Sequence, residues 1–460
     1  MMTRVDTMKS YVDAAVDYSK GKADTLIARM TRTSGSQIRF SQSMIDISNR
    51  WEDLSLDLFA VVEGSKTCSS ERSVNSLQEV RQAVDDTISL AKRLPKSMLY
   101  NGVEESVHRY DELKGQFDDR LDDYAEKAPG VINAAIDAAM REGAKRCAGA
   151  LKFAKRTVFL RSSQGPEGSA RSTTFDFNIR AFQDELDYSG QGLHCGVRLS
   201  EAEKQLVEAG AQAGRLSKQA AGANQGEPGI YDLVLSPTVA ANVLGFLPES
   251  ANPFAVMIGM SPLGDKMGQP LAPELVTVHD DPRFPGGLNS RPFDVEGTPT
   301  QRTTIFDRGV LKSFLHNTTT AKLYETKSTG SSELVSLGEG LKMLLPASTN
   351  TVFDNGTTSL TEMLEGNRPT IHVTCNWYTR WQNYQTGEFS TIPRDAMFLI
   401  KGGRSKPITN LRISDNILHM FASIMALGND RKQVYWWEVD VPTFIPSVRI
   451  ADCRMTAATQ

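Results

Sequence analysis

Metal binding and nucleophilic chemistry in this chain would fall first to its six histidines and five cysteines, and their spacing decides whether they can act. None of His108, His194, His279, His316, His372 and His419 forms an HExxH pattern, and no two sit four apart on a helix. The best local pair is His372-x-x-Cys375, in IHVTCNW. Residues an odd number apart on a regular strand point to opposite faces, so these two should diverge unless a bulge intervenes. His194 and Cys195 fail on the same geometry. His419 is read as a core or partner-facing side chain in the middle of a helix. There is no G-x-S-x-G nucleophile elbow. Gly190, Gly192 and Gly196 have the wrong spacing for a dinucleotide loop, and the GEG at Gly338–Gly340 is weaker still; both read as turns. No cofactor is expected.

The densest chemical cluster is NWYTRWQNYQTGEFSTIPRDAMFLIKGG, Asn376 to Gly403. Interleaved aromatic and basic residues can stack single-stranded bases, line a groove for an extended peptide, or pack a hairpin into a core or subunit interface. The net charge of −4 and pI near 6.0 oppose the nucleic-acid reading, which needs local positive charge. No window approaches the ~20 apolar residues of a membrane span. The first twenty residues lack the apolar core of a signal peptide. The cysteines are odd in number and far apart, at Cys68, Cys147, Cys195, Cys375 and Cys453, which fits a reducing cytoplasm rather than a disulfide framework.

The elements that must position these residues divide in two. The chain has 460 residues, enough for two domains. The small, Gly-rich AAGANQGEPG (Ala220–Gly229) is the expected boundary. An N-terminal α+β domain over 1–222 would precede a β-dominated C-terminal domain over 230–460. In the first, residues 9–20 read as a helix and 25–75 as an antiparallel meander. Ser76-x-x-Glu79 reads as a capping box opening a helix. A charged stretch covers 101–127, and Pro129 should start a helix carrying Ile132, Ala135, Ile136 and Ala139. Strands fill 150–197, and a helix follows to 221. In the second, a helical region near 236–262 precedes short strands. FDVEGTPTQRTTIFDRGVLKSFLH alternates on both sides of DRGV (Asp307–Val310), as a hairpin would. A last helix near 415–427 should end on Gly428.

Several of these stretches, taken in order, resemble one family. LSPTVAANVLG, LAPELVTVHDDP, the EG-x-PTxR segment with its following STG, TNTVFDNGTTSLTEML, the GEFS run and LRISDNILHMFASIMALG are similar to the TldD/PmbA (TldE) family of prokaryotic peptidases. The resemblance covers roughly the second half of the chain. It implies, for the catalytic TldD branch, an HExxxH motif on the helix after the LSP turn and a late cysteine completing a zinc site. Here no histidine lies between Pro237 and His279. Taking ANVLGFLPES as the equivalent stretch places Gly245 and Ser250 at the ligand positions. Glu249 falls away from the catalytic position, and Pro248 would interrupt the helix. Cys453 comes later than the expected cysteine. The resemblance therefore points to the metal-free PmbA/TldE branch, with a zinc-bearing TldD-type subunit as partner and unfolded peptide as substrate. Arg302, Asn376, Tyr378, Arg380 and Arg394 are the expected peptide or interface contacts. Two other readings stay open: a peptidase using His279, His372 or Cys375 as ligands, and a homodimer that binds peptides without cutting them. Neither nucleic acid nor membrane is expected as a partner.

Overall fold

The computed structural model describes residues 4–186, 188–336 and 342–458. In the first half α1 (Arg4–Ser19) leads into β1 (Thr25–Ser41), β2 (Met44–Val62) and β3 (Lys66–Ser73). Then come α2 (Leu77–Arg93), α3 (Leu121–Arg141), β4 (Arg146–Ser162), β5 (Glu167–Phe182), β6 (Ser189–Gly196) and α4 (Glu203–Ala220). The strands form one antiparallel sheet in the order β3-β2-β1-β4-β5-β6. Side chains alternate across a sheet, and one face takes all four helices. Leu26, Ala28, Met30, Leu56 and Leu58 pack under α1 and α2. Leu151, Phe153, Phe175 and Phe177 pack under α3 and α4. The other face turns toward the second half of the chain.

That half runs β7 (Asn224–Gln225), β8 (Gly229–Leu235), α5 (Pro237–Leu244), α6 (Phe246–Glu249), α7 (Pro253–Met257) and β9 (Val278–Asp280). It continues with β10 (Thr303–Asp307), β11 (Val310–Leu311), α8 (Thr318–Leu323), β12 (Ser332–Ser336), β13 (Lys342–Pro346), β14 (Thr351–Phe353) and α9 (Leu360–Leu364). It ends with β15 (Thr370–Asn383), β16 (Glu388–Lys401), β17 (Arg404–Thr409), β18 (Leu411–Asn416), α10 (Ile417–Ala422), β19 (Ile424–Leu427), β20 (Lys432–Trp436), β21 (Val439–Ile445) and β22 (Val448–Ala457). An eight-stranded sheet, β15-β8-β22-β18-β16-β17-β7, carries β19 on β22; a six-stranded sheet, β11-β10-β9-β14-β21-β20, packs with it. Their shared core includes Leu233, Val239, Phe306, Phe353, Phe389 and Phe421. The fold is α+β with a β-rich second half.

Four expectations need correction. The third helix begins at Leu121, and Pro129 lies inside it. Leu121, Tyr124 and Ala128 continue the buried stripe of Ile132, Ala135 and Ala139, and that burial outweighs the one hydrogen bond the proline removes. The cap at Ser76 is only half of a capping box: Ser76 Oγ accepts from the Glu79 N–H at 3.2 Å, but the Glu79 carboxylate accepts from Asn75 N–H at 2.8 Å. The last helix is six residues long, and Ile424–Leu427 pairs with Val448–Ile450 of β22 as a strand because β18 covers only Met455–Ala457 on that side. The hairpin around DRGV is far shorter than its alternation implied. Only β10 and β11 pair, across a turn with Arg308 at φ 48° and Gly309 at φ 78°. A Cβ on Gly309 would lie 1.9 Å from the Ala272 carbonyl, so only glycine fits.

Residues 293–302 are instead organised by one side chain. Asp294 accepts from the N–H groups of Glu296 (2.9 Å), Thr298 (2.9 Å) and Ser332 (2.9 Å). The two matched motifs touch here: a Cβ on Gly330, of the STG, would come within 2.5 Å of the Pro299 carbonyl. The charged 101–127 stretch is strapped to the same place. Glu104 N–H donates to Glu296 at 3.1 Å and Tyr110 donates to the Gly297 carbonyl at 2.6 Å.

Candidate functional site

The LSP turn delivers α5 with Pro237 at its first position, where a missing N–H costs nothing. Most of that helix is apolar and buried, which makes its one amide informative. Asn242 Nδ2 donates to the Glu438 carbonyl at 2.5 Å. Its Oδ1 accepts from Asn376 Nδ2 at 2.6 Å and from Thr379 Oγ1 at 2.5 Å. Asn376 is fully buried and also donates to Thr391 Oγ1 at 2.9 Å. A neutral network thus ties α5 to β15, β16 and the β20–β21 turn.

The pairing of β15 with β16 shifts register between Trp377 and Arg380. In that bulge Tyr378 takes a left-handed φ of 55°, and its N–H donates to the Glu438 carboxylate at 3.1 Å. The bulge turns Tyr378 outward, 48 % exposed, with the Arg380 guanidinium over its ring at 5.3 Å. Arg394 lies over Trp377 at 5.0 Å but is engaged with Asp395 at 3.2 Å. Asp395 also takes Arg180 at 2.5 Å and Ser189 Oγ at 2.6 Å from the first half of the chain. Arg302 is exposed on the approach to β10, and its charge adds to the desolvation that lowers the His279 pKa. Of the five expected contacts, Tyr378, Arg380 and Arg302 are open to solvent; Asn376 and Arg394 are spent on internal bonds.

A zinc ion needs imidazole, thiolate or carboxylate donors converging on one point. The residues of α5 and α6 do not fit that demand. Gly245 has no side chain, and Ser250 Oγ donates to the Leu247 carbonyl at 2.8 Å. Desolvation, then Asp440 and Asp280, push Glu249 up to about 8, so it is mostly a neutral acid at pH 7. The alternative ligands are also scattered. His279 Nδ1 bonds Thr304 Oγ1 at 3.0 Å on the six-stranded sheet. His372 Nε2 bonds Ser236 Oγ at 3.0 Å on the other sheet, and desolvation lowers its pKa to about 4. Cys375 Sγ donates to Gln191 Oε1 at 2.6 Å, away from His372, although a bulge does lie between Val373 and Cys375. His419 is exposed and bonds Asp415 at 2.9 Å, so it is not a core residue. Cys453 is buried in β22, and all five cysteines are free thiols. Among the described residues no three His, Cys, Asp or Glu side chains could share a metal.

The family profile described as the PmbA/TldA metallopeptidase C-terminal domain matches residues 228–457, half of the chain. The chain belongs to the PmbA/TldD family. Its curated relatives include Metalloprotease MJ0996 of Methanocaldococcus jannaschii, 27% identical over 210 residues, and Metalloprotease PmbA of Escherichia coli O157:H7, 26% identical over 206. The matched segments span 44% of both chains in the first case, and 43% of this chain and 41% of the relative in the second. Less than half of each relative's length is therefore involved. The whole fold is similar to the crystal structure of TldE from Thermococcus kodakarensis, with a TM-score of 0.84 and 16% identity over 97% of this chain and 100% of that one. A Thermotoga maritima structure, described in connection with DNA gyrase modulation, gives 0.81 and 20% over 97% and 100%.

Sequence reasoning did not single out Asn242 or Glu438 for this PmbA/TldD-family site. The available signal was weak: one amide on a largely apolar helix.

Proposed function

We propose that this chain is a TldE-type, metal-free subunit that pairs with a zinc-bearing TldD-type peptidase and helps enclose unfolded peptide. The observation that carries the reading is the donor set at α5 and α6. Gly245 and Ser250, aligned with the positions where the family's catalytic branch would need ligands, offer none, and Glu249 is held protonated. Zinc supplies a neutral-pH nucleophile by lowering the pKa of bound water to about 7, and a chain without ligands lacks that route. Tyr378, Arg380 and Arg302 serve as contacts to peptide or partner, while Asn376 and Arg394 set the shape of the wall behind them. The division into units 1–222 and 230–460 belongs to the same proposal, as does a reducing, cytoplasmic location, which five free buried thiols support.

The test is a peptidase assay on this chain, a TldD-type partner from the same organism, their mixture, and the mixture with Glu249→Ala. The chain alone should not cleave and should carry far less than one zinc by elemental analysis. The mixture should cleave, and Glu249→Ala should leave most of that activity. Chelator-sensitive cleavage by the chain alone, lost on Glu249→Ala, would overturn the assignment in favour of a peptidase with non-standard ligands.

A further inference from the structure

The face of the N-terminal sheet turned away from its helices is covered by the second half at two apolar contacts. Phe293, Val295 and Leu334 pack on Ile27 and Leu160. Leu288 packs on Cys195 and Val197. Register places Cys195 opposite Asp176, and Asp176 opposite Lys152. The two contacts therefore fall at the levels of Leu160 and Lys152 along β4, roughly 25 Å apart. Arg156 is midway between them, on the same face.

Its surroundings are small. Thr33 and Ser172 flank it in register, and the next rows hold Val158 with Ala170 and Ala154 with Thr174. All six are only part-buried. Arg156 itself is exposed, yet desolvation by the surrounding protein lowers its pKa, and the charge of Arg29 lowers it further. Midway between two apolar contacts roughly 25 Å apart, and above small side chains, Arg156 faces a gap between the sheet and the second half.

The neighbouring cations are matched. Arg29 pairs with Asp57 at 3.0 Å and Glu333 at 2.8 Å. Arg291 also pairs with Glu333, and Lys342 joins Asp57 (3.2 Å) and Glu71. Arg156 makes no ion pair or hydrogen bond among the described residues; Arg29 and Arg291 disfavour its charge, while Glu333 and Asp57, both already paired with other cations, favour it from a distance. Two donors nearby are also unused: Thr31 Oγ1, one row along the same face, and Arg291 Nε, both buried without a partner. A guanidinium with no hydrogen-bond partner, beside two more unused donors, leaves room for an anion to satisfy all three. A guanidinium offers two parallel N–H groups that match a carboxylate.

We propose that Arg156 marks a carboxylate-binding site in the gap between the sheet and the second half, and that the carboxylate belongs to a bound peptide. This rests on the peptide-enclosing role proposed above. The carboxylate comes from a free C-terminus or from an acidic side chain, and the probes separate the two.

The experiment compares the full chain with Arg156→Gln and Arg156→Lys. Fluorescence anisotropy reads binding of one labelled unfolded peptide in three forms: free acid, C-terminal amide, and amide with an internal Glu. The wild type should prefer a carboxylate-bearing form by roughly ten-fold, as a charge-assisted bond supplies. Arg156→Gln should erase the preference, and Arg156→Lys should restore only part. Preference for the free acid identifies a C-terminus; preference for the Glu peptide identifies a side chain. In parallel, acetate at constant ionic strength should raise the unfolding midpoint of the wild type more than that of Arg156→Gln. Equal binding of all peptides by both chains overturns the site and leaves the peptide role standing. An acetate response without peptide binding keeps the anion site and overturns the peptide role. Neither response overturns both.

Discussion

A part-buried acid, Glu333, and a fully buried pair, Asp294 and Glu296, lie close in space at the junction of the halves, and they behave oppositely. Desolvation pushes Glu333 upward, but the charges of Arg29 and Arg291 win and hold it far below the ordinary carboxylate range. Asp294 and Glu296 are buried more deeply and bond to N–H groups rather than to a cation, with the charge of Arg291 only partly offsetting the rise at Asp294. Desolvation raises both, and for Asp294 the charge of Glu296 raises it further. Burial alone thus does not set ionisation; the presence of a cation does. One region is a charged clasp and the other a proton-holding knot, and both fasten the halves together.

Breaking the clasp should have the largest effect. Glu333→Ala leaves Arg29 and Arg291 facing each other without their shared counter-charge, and should cost about 3 kcal/mol in urea unfolding. A loss below 1 kcal/mol would mean that water already compensates these arginines.

The knot should sharpen the contrast through pH. Its folded state holds protons above the pH at which an unfolded carboxyl releases them. Its stabilising contribution is therefore complete at low pH and declines as pH rises past the ordinary carboxylate range. The clasp has the opposite sign, since Glu333 contributes above that range and loses its contribution as pH falls. Glu296→Gln removes one of the knot's two carboxyls while an amide oxygen can still accept from Glu104 N–H. Relative to this variant, the wild type should lose up to about 1.4 kcal/mol per pH unit through the knot's titration. Parallel stability curves from pH 5 to 8 would show that the pair never holds the extra proton.

The smallest effect is expected at a surface pair. Arg308 and Glu274 touch but are both largely exposed, so Arg308→Ala should leave the thermal midpoint unchanged within error. A clear shift would show that β10–β11 depends on charge as well as on its glycine turn.

Much of the first half was legible because its signals are local and long. The alternation from Leu54 to Val62 and the stripe from Ile132 to Ala139 each repeat often enough to identify their element. Pro129 misled because a local breaker was weighed without the apolar residues preceding it. In the second half the strands are short, and partners distant in sequence decide them. Ile424–Leu427 is a strand because β22 accepts it. The site divides the same way. Tyr378 and Arg380 stood out by type and density, whereas Asn242 matters only through Asn376, and Arg156 only through register with Thr33 and Ser172. The EG motif was visible in sequence; that Glu296 is sealed from water beside a second carboxyl was not.

β22, the last strand, is inserted between β8 and β18 rather than added at an edge. Val448 pairs with Leu235, so β8 is made long before its neighbour exists. At ribosomal speeds of about 5–20 residues per second, Leu233, Val234 and Leu235 wait roughly 10–40 s for that neighbour. During synthesis the larger sheet cannot close, and an apolar edge stays open to misassociation until Val448–Met455 has been made. Deleting β22 would therefore remove the keystone of the sheet, and a chaperone that shields β8 during translation would raise the yield of folded protein.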